Sequence, residues 1–106
     1  MSATLASTVR ARPDTIVLGA GTGAVTVKVE MPERWDVVRV TASGAETVLA
    51  VKVAALAAIE PGADHRDWMM KLRGAEITPE SQTLLEVDAR TGSTFLLTYR
   101  RRRPVR

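Results

Sequence analysis

The chain has 106 residues, 45% of them apolar, which allows one domain with a small core. It holds no cysteine and one histidine, His65, so disulfides, thiolate chemistry and a multi-histidine metal centre are excluded. The net charge of +3 hides a division: five of the 15 basic residues stand in residues 100–106, "RRRRPVR", and the remainder carries 10 basic against 12 acidic side chains.

No apolar run approaches the ~18 residues of a membrane span. The opening "MSATLASTVRARPD" lacks the apolar stretch of a secretory leader. It is Ser- and Arg-bearing, as transit peptides are, but reads more simply as a disordered start. A cytoplasmic location is expected, because the lack of cysteine accords with a reducing compartment.

Residues 15–29, "TIVLGAGTGAVTVKV", contain the glycine spacing of a dinucleotide-binding loop, Gly19, Gly21 and Ala24. That loop must open a helix, whose N-terminal N–H groups hold the pyrophosphate. Here Val25, Val27, Val29 and Met31 alternate with Thr26, Lys28 and Glu30. A period of two residues marks a half-buried strand, so nucleotide binding is not expected. Residues 1–23 are read as a flexible arm, with "TIVL" as a possible short edge strand. "PERW" is a proline-led turn, and "DVVRVTA" is a second strand with Val38 and Val40 inward and Arg39 outward.

"TVLAVKVAALAAI" is the chain's helix. Thr47 is a suitable N-cap, and Val48, Val51, Ala55, Leu56 and Ile59 form one apolar stripe with Lys52 at its edge. Pro61-Gly62 ends it. "DWMMKL" follows as a strand, with Met70 and Leu72 on one face and Met69 and Lys71 on the other. "ITPESQTLLEV" reads as a loop with a short helical turn. "STFLLTY" is the last strand, with Phe95, Leu97 and Tyr99 on one face. One helix laid across a small mixed sheet closes a core of this size, with the first and last main strands parallel at the centre.

In this order of elements the sequence resembles ubiquitin and its relatives over about residues 24–103. "ETVLAVK" is similar to the start of the ubiquitin helix, with Lys52 where that family keeps a lysine. "TLLEVDARTGSTFLLTYRRR" is similar to the family's C-terminal region, with Leu84 and Phe95 in core positions, and "LRGAEI" to the turn after the third strand. The resemblance implies an α+β, ubiquitin-like β-grasp fold, with the domain at 24–99 and a basic tail at 100–106.

It also implies two departures. The glycine pair through which ubiquitin is activated falls on Arg103-Pro104, and the last glycine is Gly92. Two positions of ubiquitin's apolar receptor patch fall on Lys71 and Thr98, and burying an ammonium in an apolar receptor pocket is costly. The Ala, Arg and Val usage points to a bacterial source. In size and in its non-glycine end the chain resembles the free-standing bacterial ubiquitin-like proteins of type VII secretion systems and multicomponent monooxygenases.

No constellation points to catalysis, a cofactor or a metal: Asp64, His65 and Asp67 share a loop, and Glu76 and Glu80 read as surface charges. Trp68 is expected at the border of the core, whereas Trp35 in its turn is undecided. The expected function is a non-enzymatic protein-binding module. Its partner would meet Lys71, Arg73, Leu96 and Thr98 on the sheet and Arg100, Arg101, Arg102 and Arg103 on the tail. The four guanidinium groups read first as a solvated terminus that keeps the chain soluble; as a contact they favour an acidic protein surface, and nucleic acid or anionic lipid would use the same charges. The alternative is a covalent modifier or sulfur carrier with an atypical end.

Overall fold

The computed structural model describes residues 15–18 and 23–100. The sequence alternation of Ala24–Met31 forms strand β2, burying Val27, Val29 and Met31. A 3-10 turn over Pro32–Arg34 follows, and Trp35 closes it in the left-handed region at φ 53°, its N–H donating to the Pro32 carbonyl at 3.1 Å. Strand β3, Asp36–Ser43, returns antiparallel to β2 along its whole length and turns Val38, Val40 and Ala42 inward.

Helix α1, Val48–Ile59, begins where the sequence expects it: Thr47 Oγ1 accepts from the Ala50 N–H at 3.1 Å. The predicted stripe of Val48, Val51, Ala55, Leu56 and Ile59 is buried. Lys52, expected at the edge of that stripe, lies inside it at 2% exposure. A second 3-10 turn, His65–Asp67, leads into β4, Trp68–Leu72, which buries Trp68, Met70 and Leu72. Trp68 thus belongs to the core. Arg73 and Gly74, both at positive φ (51° and 84°), turn the chain into the two-residue strand β5, Ala75–Glu76. Paired left-handed residues match the twist of a tight hairpin, and glycine takes the second at no steric cost.

Residues 77–93 contain no helix, so the short helical turn expected there forms as hydrogen-bonded turns only. They are tied to the start of α1 by backbone bonds, Val48 N–H to Gln82 O and Leu84 N–H to Glu46 O, each 2.9 Å, which seat Leu84 fully buried. Burial of a leucine of this kind stabilises by roughly 1.5–3 kcal/mol. Strand β6, Thr94–Tyr99, then runs parallel to β2 and antiparallel to β4, placing Phe95 and Leu97 at zero exposure. Tyr99 shares their parity but stands at the strand's last position, 51% exposed, its ring meeting Trp68 edge-on at 5.2 Å.

Within the arm read as residues 1–23, the short edge strand that "TIVL" could form is present: β1, Thr15–Leu18, lies parallel on β3. The folded unit therefore includes residues before 24. Ile16 and Leu18 pack against the core, and that burial is what draws the segment onto the sheet. The sheet order is β1-β3-β2-β6-β4-β5, with β2 and β6 at the centre. The remainder of the arm, 1–14 and 19–22, and residues 101–106 of the tail lie outside the described residues.

Candidate binding surface

The sheet has one face under α1 and one facing outward. Register puts Lys71 opposite Leu96 on one side and Glu76 on the other. Leu96 in turn pairs with Glu30, and Glu30 with Val37. A row of five outward residues, Val37, Glu30, Leu96, Lys71 and Glu76, therefore crosses the sheet. Met69 and Thr98 form the next pair beside it. Leu96 sits at the centre between an anion and a cation. Neither Glu30 nor Lys71 has an ion pair among the described residues. The Thr98 hydroxyl is buried beneath its neighbours and has no hydrogen-bond partner among the described residues.

Of the residues singled out from sequence, Lys71, Leu96 and Thr98 share this face. Arg73 and Arg100 flank it with their guanidinium groups already engaged. Arg73 Nη2 donates to the Val87 carbonyl at 3.0 Å, and Arg100 Nη2 to Glu76 at 2.8 Å. The Arg100 N–H also donates to the Asp67 carbonyl, which fixes Arg100 beside the second 3-10 turn. Arg101, Arg102 and Arg103 lie outside the described residues.

Three features escaped the sequence reading. Trp35, held out by its left-handed backbone, is 95% exposed, and with Glu30, Met31, Pro32, Asp36 and Val37 it lines a shallow groove of about 450 Å³ at one end of the face. The Pro-led turn located Trp35 but not its direction. Second, the outward side of α1 carries no polar side chain: Leu49, Val53 and Ala57 alternate with small residues there, and Val53 is 44% exposed. Third, Glu80, expected as a surface charge, pairs with the buried Lys52. The ammonium donates to both carboxylate oxygens at 2.6 and 2.7 Å and to the Trp68 carbonyl at 3.0 Å. Glu76 is likewise paired, with Arg100.

The loop carrying Asp64, His65 and Asp67 has a structural explanation. Asp64 accepts from the backbone N–H of Arg66 at 3.0 Å and from its guanidinium at 2.8 and 3.0 Å. The guanidinium bonds, with the backbone N–H next, hold its carboxyl well below the usual carboxylate range. Such an acid cannot serve as a proton store near neutral pH. Among the described residues no group of three His, Asp or Glu side chains is placed to hold a metal.

No protein-family model and no curated protein matches the chain. Solved structures do match. The ubiquitin-like domain of an Arabidopsis thaliana protein superposes with a TM-score of 0.65 at 17% identity, covering 83% of this chain and 89% of the other. A ubiquitin from Caldiarchaeum subterraneum superposes at 0.64 and 18% identity, over 78% of this chain and 98% of the other. A de novo design based on ubiquitin gives 0.64 at 20% identity, over 81% of this chain and all of the design. The sheet order, the parallel central pair and these superpositions establish that the chain has the ubiquitin-like, α+β β-grasp fold.

Proposed function

We propose that this chain is a non-enzymatic ubiquitin-like binding module that docks a protein partner on the outward face of its sheet. The observation that carries the proposal is the row centred on Leu96, an apolar residue between Glu30 and Lys71, which form no ion pair among the described residues, with the exposed Trp35 at one end. Interfaces draw their affinity from buried aromatic and aliphatic anchors and their register from charges around them. Trp35 and Leu96 would be the anchors, and Glu30 and Lys71 would set the register, with Thr98 beside them on the same face.

The arginines at 100–103 would add attraction for an acidic partner surface, within the cytoplasm. Covalent attachment is less well supported, since Arg103-Pro104 stand where the resemblance places the glycine pair. Glycines suit a narrow activating channel because they carry no side chain.

The test is to isolate the chain from its own cells under native and under denaturing conditions and weigh it. A partner recovered natively, with the chain at its unattached mass after denaturation, is the expected outcome. A ladder of covalent adducts or a thiocarboxylate mass would replace this reading with the covalent modifier or sulfur carrier.

A further inference from the structure

Strand β3 pairs with β2 along all eight of its residues, while β1 covers only Arg39 to Ala42 on its other side. Apart from β1, β3 is an edge strand. Its outward N–H and C=O groups form a template for any extended segment. The inward side chains of β3, Val38, Val40 and Ala42, lie under α1 at 1% exposure or less with β1 in place, and β2 pairs with β3 over its full length independently of β1.

β1 itself has the features of a docked ligand. It is four residues long, at the short end for a strand. It seats two side chains, Ile16 and Leu18, two positions apart and both only half-buried, against the core beside α1. Val17 between them is 67% exposed. The chain joining it to β2 reads Gly-Ala-Gly-Thr-Gly. A short segment with few buried contacts opens at a small fraction of the global unfolding free energy.

We infer that the free side of β3 is a strand-accepting site, and that Thr15–Leu18 is its built-in occupant, exchangeable for an extended partner segment with aliphatic residues at alternate positions. The backbone ladder supplies affinity that is indifferent to sequence, and the two aliphatic seats supply specificity. The tethered strand competes from a high effective concentration, so a partner segment must outbind it before the edge becomes available. This site is separate from the outward face, and either can fail without the other.

The experiment uses the full chain and a blocked, fluorescent peptide of residues 14–19, Asp-Thr-Ile-Val-Leu-Gly. Binding is followed by anisotropy and by amide shifts, with Ile16→Asp/Leu18→Asp as the variant that empties the edge. The variant is expected to keep its dispersed spectrum and to bind the peptide with shifts along β3. The native chain is expected to bind at least about tenfold more weakly, because most molecules are already occupied. Val17→Asp, on the exposed side, is expected to behave as the native chain. A folded variant that ignores the peptide, equal binding by both chains, or loss of the fold in the variant would each overturn the inference. So would a native dimer that the peptide dissociates, since the edge would then belong to a second copy's β1.

Discussion

Lys52 brings a positive charge to 2% exposure, and the Glu80 carboxylate and the Trp68 carbonyl receive it. A buried pair of this kind is sensitive to the loss of one member and tolerant of the loss of both. Glu80→Ala leaves an ammonium in the core with one neutral acceptor and is expected to cost about 3–5 kcal/mol. Lys52→Met is expected to cost less, because Glu80 keeps 18% of its side chain in water. The double variant should recover part of the loss in a denaturant double-mutant cycle. Asp64 is a different case, since its partner lies on the surface. Its folded pKa lies below the unfolded one, so its charged form favours the folded state above the ordinary carboxylate value of about 3.9. That contribution is lost as pH falls through the folded value. A carboxyl titration by NMR should find Asp64 ionised below the ordinary range, and Arg66→Ala should move it back only part of the way, because residue 66 keeps its backbone N–H on the carboxylate.

Local signals set the elements that could be read from the sequence. Thr47 announced α1 because a hydroxyl before an apolar stripe satisfies a free N–H, and Ala50 supplies that N–H. Thr47→Ala is expected to lower stability by about 1 kcal/mol in urea denaturation. Gly74→Ala should cost about 1 kcal/mol by the same measure, since φ at 84° strains any side chain. The alternation in β2, β3 and β6 was legible for a similar reason, as one face of each is buried. β1 was not, because four residues beside a glycine run carry no decisive period, and its place depends on the β3 edge being open. Glu80 was misread because its partner lies 28 positions away and the segment that carries it, residues 77–93, follows no repeating pattern.

At the scale of the whole molecule, the resemblance to ubiquitin gave the fold, and the register gave the face. Lys71, Leu96 and Thr98 could be placed on one side of two strands from their parity alone. Glu30 could not be joined to Leu96 without the parallel pairing of β2 and β6, which brings together segments far apart in sequence. The outward side of α1 also lacks polar residues, so the molecule presents two surfaces of different chemistry: a charged-and-apolar sheet face and an apolar helix face. Apolar patches of that kind can also draw partners. If the sheet face is the docking site, Leu96→Glu should abolish partner binding and leave the fold intact, because Leu96 is only half-buried and points away from the core.

The most direct measurement places a photo-crosslinking side chain at position 96 in one chain and at position 53 in another, and compares what each captures in the chain's own cells. One discrete protein adduct is expected from position 96, lost when Lys71→Glu is added, and none from position 53. The same adduct from position 53 and not from 96 would place the partner on the helix and contradict docking on the sheet face.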